Sequence, residues 1–492
     1  MLRYLARRMF VSGCNVKHRD CMKALFNIII VVAAVIPGLT GNLRAQEMPG
    51  QVGQDGVRTL RDCLEYAVSN STKVRSQQAA VGDARIARRD AILAVFLPTL
   101  NGGSSASYSF GRNIDPETNT YINTVSFSNG YNVSAGITLF NGFSAVNNLK
   151  ISQTALKMGE TREKQIEAEL CLAVMEAFYN VVYYKRLLDV YEEQVATSEL
   201  SLTKARRQEE LGQKGHADVV QMEADLADRQ YELTNVRNMY LDQKMTLADL
   251  MFWPSEEELV IDTRMPDQVG HDGAPVIPGI TVVTPGLTGG PVEDEVVTFA
   301  LAHNPGVQIA DWTRLNARRE LNTARWQVLP SVSLSGGWST SYYSFQGSQQ
   351  TPYWDLLRSN GGEYVSMSVS VPIFNRLSRQ SNIARRRNAL ARAEAEYDQT
   401  LREVEGEVRR AVQDRDGAAT AYSQAQHKAE VQEEAYTLNL RKMEQGLISP
   451  LEFQTAGNNY LKAQADEMNS LFKYLIKQAV VKYYNGIDYI DQ

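Results

Sequence analysis

The residues able to do chemistry are limited in kind. Five histidines, His18, His216, His271, His303 and His427, are scattered along the chain. The four cysteines, Cys14, Cys21, Cys63 and Cys171, give neither a disulfide framework nor zinc spacing. There is no phosphate loop, no G-x-S-x-G, no H-E-x-x-H and no dinucleotide fingerprint. Carboxylates are many, but they sit at helical spacing on polar faces. An enzyme is excluded on these patterns, and no cofactor or metal is implied. Two acids stand out by position. Asp218 and Glu452 each follow a glycine, Gly212 and Gly446, by the same interval, and the two pairs lie 234 residues apart. Each acid would open a helix, where a carboxylate favours the positive end. Each glycine would close the preceding helix in a left-handed conformation.

The elements that position these pairs are unusual in length. Glu363 to Asn375 reads E-Y-V-S-M-S-V-S-V-P-I-F-N. Val365, Met367, Val369 and Val371 alternate with Ser366, Ser368 and Ser370, the mark of a strand with one apolar and one polar face. Pro372 ends the ladder, having no N–H to donate. From Arg376 to about Gln445 there is no proline, and Ala, Arg, Glu and Leu crowd the chain. That stretch predicts a helix of about 70 residues, roughly 105 Å long.

The same plan occurs earlier. Residues 59–96 read as a helix, 100–110 as a strand and 111–129 as a polar loop. Tyr131 to Leu139 forms a second alternating strand, Ser144 to Glu210 a long helix, and Asp218 to about Phe252 a shorter one. Residues 254–292 are rich in Pro, Gly, Val and Asp, the texture of a linker or insertion. Then the pattern restarts. A-V-S-N-S-T-K-V at Ala67–Val74 returns as A-L-A-H-N-P-G-V at Ala300–Val307. A helix over 293–328 ends at Pro330 as the first ended at Pro98, and a third strand follows at 331–338. A loop over 344–362 leads to the fourth strand. Phe140-Asn141 becomes Phe374-Asn375, and Gly212 and Asp218 become Gly446 and Glu452. Landmarks in one order, 232 to 234 residues apart, predict an internal duplication. The expected division is 46–253 for the first repeat, 254–292 for the insertion and 293–492 for the second. The half-length helices should stack end to end beside the long ones: 218–252 with 293–328, and 450–485 with 58–96.

The first 45 residues read as a signal peptide. Arg3, Arg7, Arg8, Lys17, Arg19 and Lys23 are basic, Ala24 to Ile36 is apolar, and Leu43-Arg44-Ala45 suits cleavage. The apolar run is too short to span a bilayer as a helix. Removing it takes seven basic residues and one acid, so the net charge moves from -6 to about -12. Such acidity disfavours nucleic acid as a partner.

Strands of this length cross an outer membrane when tilted, with an apolar lipid face and a polar lumen face. Tyr108, Phe110, Phe140, Trp338, Tyr342 and Phe374 lie near strand ends, where aromatic girdles form. Four strands leave two open edges, which lipid does not tolerate. Several copies must therefore close one barrel, and three would give about twelve strands. The competing reading is a coiled-coil scaffold of the envelope that transports nothing.

On the duplication, on the strand ends I-T-L-F-N-G and S-V-P-I-F-N running into long helices, and on the glycine turns before Asp218 and Glu452, the chain resembles the TolC-like outer-membrane efflux proteins. The resemblance covers nearly all of the chain after residue 45 outside 254–292. It implies an α+β membrane protein: a homotrimer with four strands per chain in a twelve-stranded barrel, continuous with a helical tunnel through the periplasm. It implies an exit duct of a tripartite efflux system for drugs, metals or other small molecules. The partners implied are a periplasmic adaptor and an inner-membrane pump of the RND or ABC type, together with outer-membrane lipid. A type I protein-secretion outlet is the alternative.

The resemblance also implies that Glu452 belongs to an acidic ring at the periplasmic tip, and that Asp218 belongs to a latch on the first hairpin. Three carboxylates on a threefold axis would attract cations and repel anions. The family's second acid corresponds to Thr455 here. The arginine and tyrosine expected to face Asp218 are Ile448 and Met443. The charged runs Arg385-Arg386-Arg387 and Glu403–Arg410 read as solvated helix faces. The arginine triplet, at the barrel end of its helix, is also placed to meet lipid headgroups.

Overall fold

The computed structural model describes residues 57–114, 119–263, 291–345, 352–445 and 447–492. The expected signal peptide, most of the expected insertion and Gly446 lie outside these residues. The order is α1 (Leu60–Asn70), α2 (Thr72–Phe96), β1 (Thr99–Ile114), β2 (Tyr121–Asn141), α3 (Ser144–Glu210) and α4 (His216–Met251). After the insertion come α5 (Pro291–His303), α6 (Pro305–Trp326), β3 (Ser331–Phe345), α7 (Tyr353–Ser359), β4 (Gly362–Ser370), α8 (Ser378–Glu444) and α9 (Pro450–Tyr484). A short 3-10 turn closes the chain at Tyr489–Asp491.

The four strands form one antiparallel sheet in the order β1-β2-β3-β4. Pairings such as Ala135↔Gly336, Gly336↔Val365, Ile137↔Leu334 and Leu334↔Met367 put the apolar residues of all strands on one face. The opposite face carries serines: Ser107 and Ser128 are hydrogen-bonded at 2.8 Å, and Ser333 pairs with Ser368. The stretch expected as a loop over 111–129 is mostly strand, because Ile114 pairs with Tyr121 and the hairpin narrows to its tip. Strict two-residue alternation fades there, but the antiparallel ladder continues through backbone bonds that any side chain permits. The loop over 344–362 contains α7. It packs Leu356 and Leu357 on Tyr342, and its Tyr353 hydroxyl donates to Asn129 at 2.6 Å.

Each expected half-length helix before a strand is broken in two. Ser71 accepts from the Val74 N–H and caps α2. Asn304 accepts from the N–H groups of Gly306 and Val307, with Pro305 opening α6. A capping side chain, or a proline without an N–H, ends one helix as it begins the next. The duplicated A-V-S-N-S-T-K-V and A-L-A-H-N-P-G-V stretches therefore encode the same break. The duplication recurs in the backbone where strand turns into helix. Gly142 and Phe143 both have positive φ, and so do Arg376 and Leu377 at the same offset. Glycine is required at 142, since a Cβ there would lie 2.6 Å from the Trp326 carbonyl oxygen.

Strand neighbours dictate helix neighbours. Because β1 lies beside β2, α2 lies beside the upper half of α3, where Gln77 Nε2 donates to the Gly159 carbonyl. Because β2 lies beside β3, α6 also flanks α3, and Asn147 Nδ2 donates to Thr323 Oγ1 at 2.7 Å. Because β3 lies beside β4, α6 and α5 flank α8. The end-to-end stacking differs from the expectation. The end of α4 meets α1, with Leu247 and Met251 buried against Cys63, Leu64 and Ala67. The end of α9 meets α5, with Tyr484 packed on a cluster containing Val296, Val297 and Val408. Stacking is thus within each repeat, set by the sheet order rather than by exchange between halves. The largest core lies at mid-length, where α1, α3, α4 and α9 converge. Burial there pushes the Cys63 and Cys171 thiols up to about 12, leaving them inert.

Candidate functional site

The two hairpin tips lie about 100 Å from the sheet, at the far ends of helices of 67 residues each. At the first tip, Gly212 takes φ +68° after the last turn of α3. Its N–H donates to the Glu209 carbonyl, and the Gln213 N–H donates to the Gln208 carbonyl, both at 2.8 Å. This is a glycine-terminated helix end in which orphan carbonyls are satisfied locally. At the second tip the Leu447 N–H donates to the Lys442 carbonyl at 2.9 Å, the equivalent bond.

Glu452 occupies the third position of α9. Its carboxylate accepts from the Ser449 N–H at 3.2 Å, while Ser449 Oγ accepts from the Glu452 N–H at 3.3 Å. The S-P-L-E stretch is therefore a capping box with proline at the first helical position. Asp218 is half-buried in the first turn of α4, which has Gly215 at its cap and no side-chain cap. Glu452 is thus held by the start of its own helix, whereas Asp218 only sits in the first turn of its helix. A contact absent from the sequence reading joins the two helices of the first tip: His216 Nδ1 lies 2.8 Å from Glu209 Oε1.

Met443, at the position where the resemblance calls for a latch residue, packs on Leu202, Ala205, Val219 and Met222 of the first hairpin. The two hairpins are thus joined near the tip by an apolar contact. Two turns further from the tip they meet again around Arg229. This guanidinium is nearly buried, its Nε donates to Asp225 Oδ2 at 3.0 Å, and Nη1 donates to Gln194 Oε1. Ser198 Oγ donates to the same Asp225 oxygen. From the second hairpin, Tyr436 stacks between Phe453 and Tyr460 at centroid distances of 5.5 and 5.4 Å. A Cβ at Gly457 would lie 3.5 Å from Arg229 Nη2. A narrow cleft runs between these groups. Burial pushes the Tyr436 phenol up, against the pull of Arg229. Sequence reasoning missed this node. Its signals were an Asp225–Arg229 pair at helical spacing and a glycine inside a helix, both common on solvated faces.

Nothing in the tips is arranged for covalent catalysis, and among the described residues no cluster of ligands could hold a metal ion. The chemistry available is that of two carboxylates at helix starts, beside hydrogen bonds that tie the two helices of the first hairpin to each other and an apolar contact that joins the two hairpins.

A family model described as outer membrane efflux protein matches residues 64–251 and again 296–484. Solved structures of the same fold include the outer membrane protein VceC of Vibrio cholerae, at 15% identity over 87% of this chain and 96% of that one, TM-score 0.68. The CmeC outer membrane channel of Campylobacter jejuni matches at 16% identity over 88% of this chain and 85% of that one, TM-score 0.67. The open state of the MtrE outer membrane channel of Neisseria gonorrhoeae matches at 16% identity over 88% of each chain, TM-score 0.62. No curated protein matches the chain in sequence.

Proposed function

This chain belongs to the outer membrane efflux protein family, and from that premise we propose that three copies close one duct through which an inner-membrane pump expels drugs, metals or other small molecules. The protein is a channel of the outer membrane, not an enzyme. One observation carries the reading of its assembly. The sheet has two open edges, β1 and β4, and its apolar face is bare: Val365 is 82% exposed and Phe110 77%. An unpaired strand edge in hydrocarbon costs several kcal/mol per group left without a partner, about as much as any buried polar group stripped of water. Lipid covers the face, and only further strands complete the edges. The helices repeat the logic, since α8 on one side and the rod of α2 and α4 on the other have open flanks.

Residues 1–45 serve as the signal that delivers the chain across the inner membrane. The repeats 46–253 and 293–492 then supply two strands and one long hairpin each, joined by 254–292. The tips face the adaptor and the pump. Glu452 and Asp218 line the narrow end, where a threefold arrangement multiplies each charge, and Gly212 turns the chain at the first tip.

The test is conductance together with phenotype. The purified protein should give discrete conductance steps in planar lipid bilayers. Deleting its gene should sensitise the cell to some toxic small molecules, and the wild-type gene should restore tolerance. A protein that inserts no channels, in a strain whose tolerance is unaltered, would contradict the proposal and favour a scaffold.

A further inference from the structure

Below the sheet the four rods share a feature that the duct itself does not need. The junction between strands and helices is ringed by exposed apolar side chains, one set per rod: Phe96 at 69% exposure, Phe143, Trp326 and Phe374 at 78%. Six to nine residues inside the sheet-proximal end of each helix, about 9–14 Å along it, come basic residues. In α2 they are Arg88 and Arg89, and in α3 Lys150. In α6 they are Arg318 and Arg319, and in α8 Arg385, Arg386 and Arg387.

The contacts show that these positions are level. Arg319 Nη1 donates to the Lys150 carbonyl at 3.0 Å, Arg386 pairs with Glu320, and Val81 of α2 lies against Gly159 of α3. The same four stretches hold only two acids, Asp90 and Glu320, and these face Arg89 and Arg386. Per chain the band has eight basic groups against two acidic ones, in a protein whose net charge is negative. Arg88, Lys150, Arg318, Arg385 and Arg387 are all exposed. Among the described residues no acid pairs with the four arginines. Arg386 turns to α6, so Arg385 and Arg387 point about 100° to either side of it, one outward and one inward.

We propose that this band is a collar for anionic phospholipid headgroups on the periplasmic face of the outer membrane. Its depth fits. The headgroup layer adds roughly 5–8 Å beyond the hydrocarbon on each side, and an arginine on its flexible stem reaches back toward the phosphates from below. Charge complementarity selects the occupant, since basic residues at a membrane surface attract anionic lipid. The apolar ring immediately above fixes where hydrocarbon ends. The inference rests on the barrel lying in lipid.

The test is native mass spectrometry of the full-length protein, purified in detergent and offered phosphatidylglycerol or phosphatidylcholine. The wild type should retain phosphatidylglycerol at least about fivefold more, the preference expected for one engaged basic residue. The variant R88Q/R318Q/R385Q/R387Q should lose most of that excess, and the lysine version of the same four positions should keep it. Equal retention of both lipids by the wild type, or full preference in the glutamine variant, overturns the collar. So does a glutamine variant that loses anion attraction in single-channel recordings while keeping its lipid preference, because the charges would then serve the lumen. The same recordings show whether the barrel inserts at all, which separates failure of the collar from failure of the channel. Single variants R318Q, R385Q and R387Q cover the case in which the fourfold change fails to assemble: R318Q and the outward one of the other two should lose part of the preference, and full preference in all three overturns the collar.

Discussion

Glu452 performs two jobs that a substitution can separate. Its carboxylate closes the capping box with Ser449, and its charge lies at the tip. Glutamine at the third helical position also supports a capping box. Glu452→Gln should therefore leave thermal stability within about 0.5 kcal/mol while weakening block of the open channel by divalent cations. Unchanged block in planar bilayers would remove Glu452 from the gate. Glu467 gives a pH signature. Burial first, then Glu430 and Glu433, push its carboxyl above the usual range. A raised carboxyl favours folding only when protonated, so its contribution is present at low pH and lost as pH rises through the folded value. Glu467→Gln should raise the melting temperature at about pH 8 and do so less at about pH 4. A gain that does not vary with pH would contradict this. The acid at the head of α9 was legible through the glycine turn before it, while the capping box that S-P-L-E encodes went unread. Asp218 has no such box, and only the 234-residue offset singles it out.

Among the elements, the Arg229 node ties α4 to α3 where the second hairpin packs against them. Removing the guanidinium leaves Asp225 and Gln194 facing a cleft without their donor. Arg229→Met should destabilise the helical region by about 3 kcal/mol, and adding Asp225→Leu should recover part of it, since an unpartnered buried charge is worse than none. Chemical unfolding checks both, and a single variant within about 0.5 kcal/mol of wild type would show that the node is decorative. This node was invisible in the sequence because it joins α4 to α3 across 35 residues and meets α8 and α9 of the other hairpin. The strands and long helices were visible, because alternation and proline-free runs are local signals. The break at Ser71 and Asn304 was present as a repeated stretch but read as continuous helix. A capping residue preceded by helix formers looks the same as an interior polar one until the backbone turns. Which half-length helices stack was not local information at all; it follows from which strands are neighbours.

At the scale of the whole molecule, a single chain is an incomplete object. Exposed valines and phenylalanines cover one sheet face, and two free strand edges and two open helix flanks lie at the sides of the wall. The sequence pattern already carried this, since four membrane-length strands cannot close on themselves. The number of copies was inferred only from how many strands make a barrel. The direct measurement is therefore the native mass of the detergent-extracted protein, taken under conditions that preserve channel activity. Three chains per particle is the expected result. A particle of one chain that still conducts, its four strands closed without a partner, would contradict the assembly on which the duct depends.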